Sequence, residues 1–249
     1  MLPGYEVFCT RDAYGLIRVL EDGPYRTLCF DSYGEQSAVD LTVPHRLVFD
    51  YTQAMILGLC FVERPRHVTL FGLGGGSLVN SLLRFSDSLR LRVVELRPAV
   101  VEVAHEWMGL ERSDRLETII DDARHYVESK PIRSDLLFVD LFDDEGALSF
   151  VYDEQFLLGC RGCLTPNGVL VLNLWEQHKG DHPSARRALW EVFGDGCVFC
   201  PLENGNLIAY AVNQGPIVLN HRRLVAKARP LVYKLDINLN QCLSRLREA

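Results

Sequence analysis

The sequence predicts an α/β fold: an open, mostly parallel seven-stranded sheet that closes in an antiparallel hairpin and follows a small N-terminal β-rich piece. Three observations carry this. From His67 onward, short β-prone runs alternate with runs of helical spacing, the pattern of parallel strands joined by crossover helices. The first such strand, His67-Val-Thr-Leu-Phe, runs into Gly72-Leu-Gly74-Gly75-Gly76 and a helical run, and Glu95 closes the next strand about twenty residues after the glycines. Finally, only Glu-Asn-Gly-Asn separates the β-prone runs 197–202 and 207–212, and Asn204-Gly205 is a tight hairpin signal.

In chain order, residues 14–23 read as a strand ending in a turn at Asp22-Gly23, 25–30 as its hairpin partner, and 36–40 as a third short strand. After Pro44, the residues Leu47, Tyr51, Ala54, Met55 and Leu59 recur at helical spacing. Strands are expected at 67–72, 89–95, 115–120, 135–140 and 168–174, and helices at 76–85, 98–108, 122–129, 153–163 and 181–193. The runs 136–140 and 169–173 are almost wholly apolar, as central strands covered on both faces should be. The expected units are an N-terminal β-rich domain with its helix (1–62), a sheet domain (63–213) and an amphipathic helical tail (214–249).

Apolar content of 48% and charged content of 24% fit an ordinary globular protein. A net charge of −7 without a long basic run disfavours nucleic acid as a partner, and the basic residues of the tail (Arg222, Arg223, Lys227, Arg229, Lys234) read as a solvated helix face. The longest apolar stretch, 54–62, is too short to cross a bilayer, so no membrane partner is expected. The opening Met-Leu-Pro-Gly-Tyr-Glu has neither a basic region nor an apolar core, which sets the expected location as the cytoplasm, with all eight cysteines reduced.

Cys160/Cys163 and Cys197/Cys200 have zinc-ligand spacing. The 197–200 run reads as strand, however, where residues three apart point to opposite faces, and Cys160 and Cys163 close an apolar helix. His178, Asp181 and His182 are metal-ligand types, but a polar loop beside the site mouth explains them better. No metal is expected.

Ligands of an open parallel sheet lie beyond the carboxyl ends of its strands, and the strand ends here carry polar groups. The turn Gly72, Gly74, Gly75, Gly76 exposes backbone N–H groups. Glu95 is acceptor-only and suits a ribose diol. Asp121 and Asp122 end the third strand: Asp122 can accept from an adenine amino group while Ala123 offers its N–H to a ring nitrogen, although either acid can instead cap the next helix. Asp140 and Asp143 follow the fourth strand and suit work as acid, base or cation stabiliser, with Asp144 and Glu145 beside them, or the run 143–145 is a solvated loop. Asn173, Trp175 and Glu176 follow the fifth strand as acceptor-pocket residues, Trp175 alternatively as a core cover. Tyr33, Gln36 and Tyr51 are N-terminal groups that could reach the site. A terminal hairpin in place of a second βαβ unit matches the class I S-adenosylmethionine-dependent transferases and not a dehydrogenase.

Gly72-Leu-Gly-Gly-Gly-Ser77, Val93-Val-Glu95-Leu-Arg-Pro, Asp121-Asp-Ala-Arg124, Val139-Asp140-Leu-Phe-Asp143 and Leu164-Thr-Pro-Asn-Gly-Val-Leu-Val171 together resemble the spermidine synthase family of aminopropyltransferases, over about 67–174. The resemblance implies Glu95 on the ribose, Asp122 on the adenine and Asp140 as catalytic acid/base. It also implies decarboxylated S-adenosylmethionine as donor, methylthioadenosine as product, a small-molecule acceptor such as a polyamine, and a homodimer. The chain departs from the family's pattern at Gly75, where the family's loop carries an acid, and at Asp144, where it carries proline. It also lacks the family's proline-tyrosine-proline stretch before the last strand, and the family's Tyr-His-Glu-Met segment is expected near 36–40, where Gln-Ser-Ala-Val-Asp stands. Gly75 removes repulsion against a cofactor carboxylate, so intact S-adenosylmethionine, a methyl transfer and S-adenosylhomocysteine as product stand as the alternative. A non-catalytic adenosyl-ligand-binding module is the third reading.

Overall fold

The computed structural model describes residues 4–31, 35–129, 133–143 and 146–248, with residues 143, 146 and 147 described by their backbone. Four antiparallel strands in sequential order open the chain: β1 (Tyr5–Asp12), β2 (Gly15–Asp22), β3 (Tyr25–Cys29) and β4 (Glu35–Asp40). The sequence predicts only three of them. None of the β1 residues is fully buried, so this edge strand lacks the period-two apolar signal that marks the others.

Helix α1 (Asp50–Ile56) runs on as a 3₁₀ turn, Leu57–Phe61, and lies against the main sheet. A Cβ on Gly58 would fall 2.4 Å from Val171, and Tyr210 Oη donates to the Ala54 carbonyl at 2.7 Å. This helix therefore covers the sheet that follows it.

The main unit alternates as expected: β5 (His67–Phe71), α2 (Ser77–Phe85), β6 (Arg90–Glu95), α3 (Pro98–Glu106), β7 (Leu116–Ile120), α4 (Ala123–Glu128) and β8 (Ser134–Val139). A two-residue ladder, β9 (Phe142–Asp143) with β10 (Gly146–Ala147), leads to α5 (Glu154–Gly162), β11 (Leu164–Trp175) and α6 (Pro183–Phe193). The hairpin β12 (Cys197–Pro201) and β13 (Asn206–Val212) precedes α7 (His221–Leu235), α8 (Asn240–Arg245) and β14 (Arg247–Glu248). The sheet order is β14-β12-β13-β11-β8-β5-β6-β7, with β11, β8, β5, β6 and β7 parallel and β13 antiparallel to β11. The sheet thus has eight strands, not seven: β14 adds two charged residues alongside Val198 and Phe199, too short a segment to show periodicity.

Both faces of this sheet are buried. One core joins it to the N-terminal sheet, α1, α2, α3, α7 and α8, and the other to α4, α5 and α6. Cys200 lies in the first core and Cys197 in the second, so the pair faces opposite ways as strand geometry requires. Among the described residues no helix is long and apolar enough to cross a membrane.

Candidate active site

The parallel strands end along one edge in the spatial order β11, β8, β5, β6, β7, which sets Asn173, Asp140, Gly72, Glu95 and Asp121 in a row. The backbone ties neighbouring tips together: Gly72 N–H donates to Val94 (2.9 Å), Asp140 N–H to Phe71 (3.0 Å) and Asp121 N–H to Glu95 (3.1 Å). Chain order runs outward in both directions from the gap between β5 and β8, the switch point at which open α/β sheets take their ligands. Gly72 and Asp140 flank that gap.

Gly72, Gly74 and Gly76 have φ of +88°, +52° and +79°, a region that favours glycine. A Cβ on Gly72 would also fall 2.3 Å from the Asp140 carbonyl oxygen. Gly75 is constrained differently, by space alone: a Cβ there would lie 2.9 Å from both Ser37 Oγ and Met108 Cε. Ser37 of β4 therefore lies against the glycine turn at Gly75.

Glu95 is 8% exposed. Its Oε2 accepts the Leu73 N–H and its Oε1 the Arg97 N–H, both at 2.9 Å, with the Leu96 N–H also acting on the carboxylate. Burial pushes its carboxyl up, against the opposing pull of those N–H groups and the Arg97 cation. The Arg97 guanidinium is buried too, held by Asp12 at 2.9 and 2.8 Å and by the Gly15 carbonyl at 3.0 Å, over the ring of Phe30. The acid at the tip of β6 thus joins the glycine turn to the N-terminal hairpin.

Asp122 caps α4: its Oδ1 accepts the Arg124 N–H at 2.8 Å, and the Arg124 guanidinium beside it holds its carboxyl below the usual range. Asp121 accepts from the Asp122 N–H and from His125 Nδ1, each at 2.9 Å, which raises the histidine. Ala123 is buried just behind. Leu96 and Ile120, next to Glu95 and Asp121, are 38% and 49% exposed. Sequence reasoning passed over both, since an apolar residue at a strand end looks the same whether it is covered or open.

Burial raises Asp140 to about 6, against the stabilising hydrogen bonds of Asn173 and the Tyr51 hydroxyl. Asn173 Nδ2 donates to Asp140 Oδ1 at 2.8 Å, and Asn206 Nδ2 donates to Asn173 Oδ1 at 2.9 Å. Tyr51 of α1 thus reaches the strand tips at Asp140. Its hydroxyl also lies 3.2 Å from the Gln36 carbonyl.

Other expected residues are used in different ways. His182 caps α6 by accepting the Ala185 N–H at 3.1 Å, and Asp181 pairs with Arg186. Trp175 is half-exposed and packs on Gly205 of the hairpin, and Glu176 accepts the Gly180 N–H. Tyr33, Asp144 and Glu145 lie outside the described residues, as does the Asp143 side chain.

An open sheet with this order, a glycine turn at its switch point, acids at the flanking tips and a terminal hairpin is the class I adenosyl-cofactor transferase fold. Within that class the chain belongs to the spermine/spermidine synthase family, whose domain model matches residues 49–188. It is 29% identical over 234 residues to the polyamine aminopropyltransferase of Neisseria meningitidis, covering 93% of this chain and 89% of that protein. The probable spermidine synthase of Corynebacterium glutamicum has the same fold, with a TM-score of 0.77 at 22% identity, over 90% of this chain and 86% of that one. Human methyltransferase-like protein 13, solved with SAH, aligns with a TM-score of 0.68 at 26% identity, over 76% of this chain and 94% of that one. The protein is a transferase.

Proposed function

We propose that the protein transfers an aminopropyl group from decarboxylated S-adenosylmethionine to an amine of the polyamine type, in the crevice between β5 and β8. The observation that carries this is Asp140, a carboxylate at the switch point that burial brings to about 6 and that two donors hold in place.

The residues at the strand tips fit the donor. The turn at Gly72 to Gly76 leaves backbone where side chains would intrude, and would take the amino-bearing tail. As a carboxylate Glu95 accepts only, which suits a ribose diol. Leu96 and Ile120 offer open apolar faces to a flat ring, with the Ala123 N–H and the Asp122 carboxylate at its edge. When bound, the sulfonium supplies an electrophilic carbon to an amine. Asp140 would accept a hydrogen bond from that amine, aim its lone pair and take its proton. A group titrating at about 6 is largely ionised at neutral pH and still basic enough to do this. Tyr51 brings its hydroxyl to the carboxylate from α1, its single proton shared with the Gln36 carbonyl 3.2 Å away. Asp143 stands next along the chain as a second acid. A homodimer accompanies this reading through the family resemblance.

One observation favours a second reading, methyl transfer from intact S-adenosylmethionine. Ser37 and Met108 occupy the space beside Gly75 that a loop acid needs, so nothing there opposes a cofactor carboxylate. Calorimetric titration with decarboxylated and intact S-adenosylmethionine, methylthioadenosine and NAD separates the readings. The decarboxylated form should bind more tightly than the intact one, and methylthioadenosine should compete with it. Preference for the intact form supports methyl transfer, and tight NAD binding overturns both.

A further inference from the structure

Of the two buried amides behind Asp140, Asn173 donates to it and Asn206 has no part yet in the proposed transfer. Asn173 and Asn206 are 2% and 5% exposed. In the antiparallel register of β11 and β13, Asn173 stands opposite Ile208 and Trp175 opposite Asn206, so Asn173 and Asn206 project from one face. Tyr210 follows Asn206 and Ile208 on that same face, and its hydroxyl pins Ala54 of α1, the helix that carries Tyr51. One strand of the hairpin thus supports both donors to Asp140: the Asn173 amide directly, and the Tyr51 phenol through its helix.

An amide can turn over without changing shape. In one orientation Asn173 offers Asp140 an N–H, which suits a carboxylate. In the other it offers an oxygen, which repels a carboxylate and suits a protonated acid. With its NH₂ turned to the Asn173 oxygen at 2.9 Å, as it stands here, Asn206 is satisfied only by the first. We propose that Asn206 is a positioning residue, which by engaging the Asn173 oxygen locks the Asn173 N–H onto Asp140 and keeps that carboxylate charged and aimed. The proposal rests on the reading of Asp140 as the acid/base.

The described groups facing Asp140 are Tyr51 from α1, Asn173 from β11, and Phe71 and Gly72 from β5. Of these Tyr51 is titratable, and burial followed by the Asp140 charge drives its ionisation far upward, so it acts as a neutral donor.

The test follows the Asp140 carboxyl by carbon-13 NMR across pH, a readout that needs no turnover. Asn206→Leu removes the donor and should move the midpoint up by about one pH unit. The acid limb of kcat/KM should move with it, with KM for the donor unchanged within about twofold. Asn206→Val, which suits a strand, serves the same end if the leucine variant folds poorly. Asn206→Ser keeps a hydroxyl donor and should bring the midpoint back toward wild type. Midpoints equal to wild type in the leucine and valine variants would overturn the proposal, whatever their melting temperatures. Shifted midpoints in a protein that transfers no aminopropyl group would instead overturn the reaction assignment and leave the positioning role standing.

Discussion

Glu95 accepts the backbone N–H of Leu73 across 2.9 Å, so the acid at the tip of β6 holds the glycine turn at the tip of β5. The same carboxylate accepts the Arg97 N–H. Support of the turn and recognition of a ribose therefore fall on one side chain. Glu95→Gln replaces one acceptor oxygen with an NH₂ group and leaves one of those N–H groups unpaired. It should cost about 1–3 kcal/mol in urea denaturation. Affinity for methylthioadenosine should fall by about tenfold or more in calorimetry, the effect of losing a buried charged acceptor.

The pair of buried Arg97 with half-buried Asp12 links this acid to the hairpin of β1 and β2. Breaking it from one side strands a charge. Asp12→Ala should therefore destabilise by about 3–5 kcal/mol, whereas Asp12→Leu with Arg97→Met should recover much of the loss. Thermal denaturation of the single and double variants checks this. Equal losses in both would mean that the ion pair itself, not the stranded charge, sets the cost.

Asp140 carries the pH dependence. Its folded-state value of about 6 lies above its ordinary 3.8, so its contribution favours folding most at acid pH and is lost as pH rises through about 6. Asp140→Asn should therefore stabilise the protein at pH 8, by about 2 kcal/mol, and bring no such gain at pH 4. Turnover should fall by about a hundredfold or more while cofactor affinity is kept. In the wild type kcat/KM should rise with pH through a limb near 6, as the carboxylate becomes available to take a proton. Unchanged turnover in the asparagine variant would remove the catalytic assignment.

Gly75 tests the choice of donor. An aspartate there meets Ser37 and Met108, so Gly75→Asp should cost about 1–3 kcal/mol by overpacking, and Ser37→Gly should relieve part of it. In the double variant the added carboxylate should weaken intact S-adenosylmethionine more than the decarboxylated form. Calorimetry with both donors reads the ratio directly, and an unchanged ratio would mean that the cofactor tail does not lie beside Gly75.

The alternation of strands and helices, the glycine turn and the hairpin at Asn204-Gly205 were legible in the sequence, because each is written in local periodicity or local backbone demand. The edge strand β1 and the two-residue β14 were not, since neither has a buried face to impose a period. The strand tips were also legible: Glu95, Asp121 and Asp140 end their strands in register with the glycine turn. What stands around them was not. The meeting of Tyr51 with Asp140, and of Ser37 with Gly75, is decided by how the N-terminal sheet and α1 settle on the main sheet, through contacts distant in sequence. Asn206 could be read only as part of a turn, although its side chain points inward to Asn173.

The most direct measurement is product analysis by mass spectrometry of the purified protein given decarboxylated S-adenosylmethionine and a diamine. Methylthioadenosine and the aminopropylated amine should appear in equal amounts with the wild type, and both should be nearly abolished by Asp140→Asn. Release of S-adenosylhomocysteine from the intact donor, with no methylthioadenosine from the decarboxylated one, would contradict aminopropyl transfer at this site.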